Sequence, residues 1–262
     1  MPRKPAKTAR PTKPAEPIKT VKPTKPTKGP LDPVDAAIEA LRQGRFVFVY
    51  DADGREEETD FFLAAEVARP EHVRQMRKEG GGLIFLMVGN GVATKVGLPF
   101  MVDIQMLAAA KYDILQAFVP DDIPYDTKSS FSVAINHRRT FTGITDRDRA
   151  LTISEFGHLA KQADGMGRTE ALELFGRSFR SPGHVPICVA SERPLRERFG
   201  HTELSVGLMM MAGMTPVAVG CEMMDDSGGS MPRERAREYA QAHGAPFLEG
   251  KQIVRRFREW SG

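Results

Sequence analysis

Cysteine is scarce in this chain, with two residues, Cys188 and Cys221, among 262. No CxxC pair exists, which rules out a zinc ribbon, and two thiols set in apolar runs read as buried side chains in a reducing cytosol. Long apolar runs are missing as well. None approaches the roughly 18 residues of a membrane span, and the N-terminus lacks the apolar stretch of a secretory leader. The stretch Gly89-Asn90-Gly91-Val92-Ala93-Thr94 superficially resembles a dinucleotide loop but lacks the third glycine, so that reading is discarded. The expectation is a cytoplasmic protein with no membrane association.

Charge is unevenly spread. Residues 1–30 hold nine Lys or Arg against Glu16 alone, a net of +8, although the whole chain carries only +3. The remainder has 28 basic and 33 acidic side chains, a net of −5. The tail is built from Pro, Lys, Thr and Ala, with K-P-T-K-P-T-K over 22–28. With no apolar period to bury, residues 1–31 are expected to be disordered with polyproline character. Their charge suits weak contact with polyanions, not specific reading of a nucleic acid.

The body, residues 32–262, has enough apolar residues for a sizeable core. Helices are expected over 35–42, 71–78, parts of 103–118, from near Ser154, from about 201 through Met211, and over 233–243. Strands are expected over 45–50, 83–88, 130–135, 185–190 and 216–224. The mixture has no βαβ rhythm, which predicts an α+β fold: a single compact mixed-sheet domain flanked by helices.

What is abundant is acid in one place. Asp51 to Asp60 reads D-A-D-G-R-E-E-E-T-D, six acids and one arginine in ten residues. It follows a buried-strand pattern and precedes Phe61–Ala68, whose composition predicts a helix capped by Thr59 or Asp60. Such a cluster repels itself unless a cation is shared among its members. A divalent ion, with a phosphate held by Arg55, meets that need; a solvated acidic turn is the other reading.

Further loops bring complementary chemistry. Arg198, Gly200, His201 and Thr202 stand at a predicted helix start, where free amides and the dipole favour a phosphate and Arg198 adds a charged fork. The same residues are also consistent with ordinary capping. Ser181-Pro182-Gly183-His184 presents a histidine suited to proton transfer, or merely an exposed one. Glu222 is an acid in an apolar strand, so it is either structurally paired or an acid/base group. Met209-Met210-Met211 reads as core packing. Together these features imply a metal-assisted enzyme acting on a small, phosphorylated, oxygen-rich substrate.

The D-x-D-x-R-E-x-E-x-D turn, the G-I-T-x-x-D-R-A-x-T-I loop, the S-P-G-H turn, the R-x-G-H-T-E helix start and the strand ending at Glu222 occur in one order. In this the chain resembles 3,4-dihydroxy-2-butanone 4-phosphate synthase over about residues 34–260, in its stand-alone archaeal-type form. The resemblance implies conversion of ribulose 5-phosphate to the four-carbon phosphate and formate, a step of riboflavin biosynthesis. It implies magnesium, with manganese as a substitute, no organic cofactor, and a homodimer with sites near the subunit interface. Glu56 and His201 would ligate the metal. Arg55, Glu56 and Asp60 would touch substrate; Arg198, Gly200 and Thr202 would hold its phosphate beside His201. Glu58 and Asp60 would be acid/base groups, and His184 and Glu222 match the pair regarded as essential for catalysis. Thr145, Asp148 and Thr152 lie in the family's other substrate-side loop. With 40 residues after Glu222, no fused second domain is expected. One departure stands out: Phe85 occupies the place where members commonly carry cysteine. Two other readings remain, a polyanion binder driven by the tail and a related phosphosugar isomerase or aldolase.

Overall fold

The computed structural model describes residues 31–119 and 121–262. The tail expected over 1–31 lies, Leu31 apart, outside the described residues. Asp32 opens the fold as a helix cap: its Oδ1 accepts the Val34 N–H at 2.9 Å, and Pro33 fits the first turn of α1 (Pro33–Arg42). Val34, Ala37, Ala40 and Leu41 then recur at helical spacing and are all buried.

The centre of the molecule is a seven-stranded sheet: β1 (Val47–Tyr50), β2 (Thr59–Ala64), β3 (Phe85–Val88), β4 (Phe131–His137), β5 (Phe179–Val189), β6 (Val217–Glu222) and β7 (Phe247–Glu249), in the order β4-β5-β3-β6-β2-β1-β7. β1 runs parallel to β7 and β3 parallel to β5, while the other pairs are antiparallel. The expected mixed sheet is therefore present.

Successive side chains of a strand face opposite ways, and here both faces are covered. One face carries Phe48, Phe61, Leu63, Leu86 and Val219 beneath α2 (Pro70–Gln75), α6 (Asp146–Ala163), α7 (Arg168–Ser178) and α9 (Arg233–Ala242). The other carries Val47, Val49, Phe62, Ala64 and Met87 beneath α1, α8 (His201–Met211) and α10 (Gly250–Ser261). Three shorter helices, α3 (Asn90–Val96), α4 (Met101–Ala108) and α5 (Ile114–Ala117), lie between β3 and β4 in the chain. The segment compared with a dinucleotide loop is the start of α3. Met209 and Met211 are buried on the α8 face of the core, as packing residues should be.

Several expectations need correction. Thr59–Ala64 is a strand rather than a helix start: all six residues are buried, paired on one side with β1 and on the other with β6. An amphipathic helix hides one face, whereas a central strand hides both, and that double burial overrides the helical composition. The acidic stretch is consequently a hairpin loop. α6 starts at Asp146, eight residues before Ser154, because Thr145 caps it by accepting the Asp148 N–H at 3.1 Å. Residues 181–184 interrupt β5 as a bulge, since Arg180 pairs with Asn136 and Val185 with the adjacent Ile135. α7, β7 and α10 were not anticipated.

Phe61→Ala and Phe62→Ala should each lower the unfolding free energy by about 3–5 kcal/mol in a denaturant titration. Loss from only one of the two would argue for a helix-like, one-sided burial.

Candidate active site

The β2–β6 pairing determines where the acids go. Asp60 sits opposite Glu222 in the register, at the end of both strands and on the same face as Phe62. α8 packs on that face, and its first residue, His201, comes within 3.7 Å of Asp60. A cavity of about 270 Å³ opens there, at the small end for ligand pockets and suited to a small polar molecule. Arg55, Glu56, Glu58 and Asp60 line it from the β1–β2 side, Arg198, His201 and Thr202 from the α8 side, and Glu222 from β6.

Asp51 shapes the hairpin loop. Its buried carboxylate accepts the N–H groups of Glu56 at 3.0 Å and Glu58 at 3.1 Å, and the Arg55 guanidinium at 3.1 Å. With Asp51 turned inward, alternate residues Glu56 and Glu58 are presented to the cavity. Glu56 meets His201 Nδ1 at 3.0 Å and Arg55 at 2.9 Å. His201 Nε2 donates to the Glu58 carbonyl at 3.2 Å, so both ring nitrogens face acceptors. Burial alone would lower the His201 pKa. Asp60, Glu56 and Asp51 outweigh it and push the imidazole up to about 10. Conversely, burial would raise Glu56, but the bond and charge of His201, then Arg55, bring it down to about 2.

Asp60 behaves differently. It is 1% exposed, both oxygens lack a hydrogen-bond partner, and the nearest cation is His201 at 3.7 Å. Burial, with the neighbouring Glu222, Glu56 and Glu58, drives its pKa well up despite His201. Burial likewise raises Glu222, whose Oε2 accepts the Leu83 N–H at 2.7 Å. Gly82 permits that approach, since a Cβ there would lie 2.4 Å from the Glu222 carboxylate. Glu58 is raised by burial and by the Glu56 charge, and receives a hydrogen bond from Ser230 at 3.3 Å.

Asp51, Glu56 and His201 place ligand atoms within 4.8 Å of one another. Asp51 is turned to the loop by two amides and the Arg55 guanidinium, which leaves Glu56 and His201 as the pair facing the cavity. Their 3.0 Å spacing matches that of adjacent corners of an octahedron with bonds of about 2.1 Å, and the orphaned Asp60 oxygens lie next to them. The donor set fits magnesium.

The opposite wall is cationic. α8 begins its hydrogen bonding with Leu204 N–H to Gly200 O, so the amides of His201, Thr202 and Glu203 have no partner within the helix. Arg198 stands beside this end, and a Cβ on Gly200 would lie 2.5 Å from Arg55 and 2.8 Å from Arg198. Glycine thus allows both guanidiniums to converge on the helix N-terminus.

Four expected residues lie elsewhere. His184 is absent from the cavity wall; its backbone N–H and Nδ1 contact the Asn136 amide at 2.9 and 3.1 Å. Asn136 also reaches the Thr142 carbonyl, and Asp148 accepts the Gly143 N–H at 2.8 Å, which makes a separate cluster. Thr145 is the α6 cap. Thr152 is fully buried, accepts from His137 N–H at 2.9 Å and donates to the Asp148 carbonyl at 3.0 Å, so it ties α6 to β4 away from the cavity lining. Residues whose part in the site was missed from sequence include Asp51, Tyr125, Asp126, Glu203 and the cavity-lining Cys188, whereas Phe85, singled out above, lines the cavity. Both cysteines are buried and free, as expected. No helix among the described residues is long and apolar enough to cross a membrane.

A sequence profile for 3,4-dihydroxy-2-butanone 4-phosphate synthase matches residues 35–256. The synthase of that name from Methanothermobacter thermautotrophicus is 48% identical over 225 residues, 86% of this chain and 95% of its own. A chloroplastic riboflavin biosynthesis protein of Arabidopsis thaliana is 29% identical over 84% of this chain and 40% of its own. A crystal structure of a 3,4-dihydroxy-2-butanone 4-phosphate synthase in complex with two magnesium ions is 26% identical, with a TM-score of 0.70, covering 88% of this chain and 99% of that one.

Because His201 is raised from 6.5 to about 10, its proton stabilises the metal-free fold fully below pH 6.5, and that contribution fades as pH rises toward 10. In chelator, the thermal midpoint of the wild type should therefore fall more steeply between pH 7 and pH 10 than that of His201→Gln. Parallel curves would mean that the buried imidazole is neutral.

Proposed function

The chain belongs to the 3,4-dihydroxy-2-butanone 4-phosphate synthase family of riboflavin biosynthesis, and we propose that it converts D-ribulose 5-phosphate to L-3,4-dihydroxy-2-butanone 4-phosphate and formate with magnesium. The observation that carries this reading is the cavity's polarity. Carboxylates whose pKa values burial raises line one wall and face a guanidinium and helix amides on the other.

Arg198, Thr202 and the α8 amides suit the phosphate, since charge-assisted donors and a helix N-terminus favour a dianion. That anchor directs the sugar carbons toward Glu58, Asp60 and Glu222. Asp60, with both oxygens free, is placed to take a proton from the substrate. The Glu222 Oε1, not engaged by Leu83, is available to hold or return one, and Glu58 can do so through the carboxylate that Ser230 steadies. Glu56 and His201 would hold magnesium, which would supply an electrophile for negative charge on substrate oxygens. Arg55 neutralises Glu56 and keeps it oriented.

His184 has no partner for chemistry within the cavity of its own chain. It is exposed, in a cluster bordered by Phe141, 94% exposed, and Ile144, 51% exposed. We propose a homodimer in which this cluster completes the cavity of the second copy. Covering two such apolar side chains offers part of the association energy.

Purified protein with magnesium should release formate in step with ribulose 5-phosphate loss, and excess EDTA should stop it. Asp60→Asn and Glu222→Gln should each slow turnover by about 10²–10⁴-fold, the usual contribution of a positioned acid/base group. Substrate loss without formate would favour an isomerase or aldolase. Metal binding must also displace the His201 proton, so calorimetry in two buffers at pH 7.5 should report proton release, with affinity climbing as pH rises.

A further inference from the structure

Arg198 is gripped by two carboxylates that differ in how firmly they are held. Glu203, on the first turn of α8, is 0% exposed, takes Nη1 of Arg198 at 2.5 Å and accepts the Ser191 N–H at 3.0 Å. It is fixed by the helix and by the chain just after β5. Asp126 belongs to residues 121–130, which form neither helix nor strand between α5 and β4. It takes Nε of Arg198 and reaches Nη2 of Arg55 at 3.4 Å. Among the described residues, 121–129 make one backbone–backbone hydrogen bond, Asp121 N–H to Val119 O. Tyr125 rests its ring 5.5 Å from the Arg55 guanidinium and lines the same cavity. The ion pairs of Asp126 are therefore a principal attachment of this segment to the cavity wall.

An anion entering this seat would meet both guanidiniums where Asp126 already stands. The side chains of Arg55, Arg198 and Asp126 are 12%, 17% and 11% exposed, so little water is available to screen a dianion from that carboxylate. One acid must leave for a phosphate to bind well, and only Asp126 is attached loosely enough to do so.

We propose that Asp126 is an internal stand-in for the substrate phosphate: it keeps Arg55 and Arg198 aligned in the free protein and yields when phosphate enters. Glu203 is the positioning residue that holds Arg198 in place during the exchange. This rests on the assignment of Arg198 and Thr202 as the phosphate seat. Departure of Asp126 carries Tyr125 with it, so phosphate binding also uncovers the cavity.

The test is calorimetric titration of inorganic phosphate into the wild type, Asp126→Asn, Asp126→Ala and Glu203→Gln, beside steady-state kinetics on ribulose 5-phosphate. Both Asp126 variants should bind phosphate about three- to tenfold tighter, because removing an occupant lifts the penalty it places on apparent affinity. Glu203→Gln should bind more weakly, with KM raised and kcat retained, and Glu203→Asp should recover part of the loss even where Glu203→Gln folds poorly. Unchanged or weaker phosphate binding in folded Asp126 variants overturns the exchange. Tighter binding without formate from any chain sinks the reaction while the exchange stands. Formate from the wild type with unaltered phosphate binding in the variants does the reverse. Phosphate binding by none of the chains removes both the seat and the exchange.

Discussion

The site depends on a buried imidazolium surrounded by acids. His201 is the first residue of α8, where the helix dipole, equivalent to roughly half a positive charge, opposes a proton on the ring. Burial opposes it as well. Yet Asp60, Glu56 and Asp51 together prevail, and the ring donates from both nitrogens, to Glu56 at 3.0 Å and to the Glu58 carbonyl at 3.2 Å. Without that cation, Glu56, Glu58, Asp60 and Glu222 would share one end of the sheet with Arg55 paired to Glu56 and Arg198 across the cavity. The proton on His201 therefore fills the role that a divalent ion held by Glu56 and His201 would take over, so that one pair of side chains would serve both metal-free folding and the proposed metal binding.

The sheet explains why this arrangement is rigid. Asp60 and Glu222 are consecutive with core residues, Phe61 on one strand and Cys221 on the other, each 0% exposed. Neither carboxylate can move without disturbing a strand that is packed on both faces. Glu222 is further restrained by the Leu83 amide, and Asp60 by burial alone. Two acids held in register, with pKa values driven up by a shared environment, give up a proton less readily than surface acids and take one more readily. The cationic wall is built separately, from a helix end and a turn, so the two halves of the cavity rest on different elements.

Much of the site was legible because its chemistry is carried by short contiguous stretches. Arg55 to Asp60 and Arg198 to Thr202 are local turns, and turn residues announce themselves by type and spacing. What could not be read is what packing alone decides. Phe61–Ala68 has helical composition, and only the neighbours β1 and β6 make its first part a strand. Asp126 lies in a stretch without apolar period or motif, more than seventy residues from each arginine it contacts. His184 was legible as a proton-transfer side chain, but nothing in its sequence context reveals that the β5 bulge points it toward Asn136 and away from the cavity. Thr152 matched a motif yet is consumed by the α6–β4 junction.

Phe85 stands where the sequence resemblance implies a cysteine, and the structure supplies a local gauge of what a thiol there would do. Cys188, on β5 beside β3, lines the same cavity, and burial pushes its thiol up to about 12. A cysteine at position 85, on the same cavity wall, would experience a similar loss of solvent and remain protonated near neutrality. It could not act as a base there. On the function proposed above, proton transfer falls to Asp60, Glu58 and Glu222 whichever residue stands at 85. The phenylalanine ring instead adds apolar surface beside those acids, and lower local polarity raises carboxylate pKa values further. The substitution thus removes a group with little acid–base capacity and reinforces the environment that gives the neighbouring carboxylates theirs.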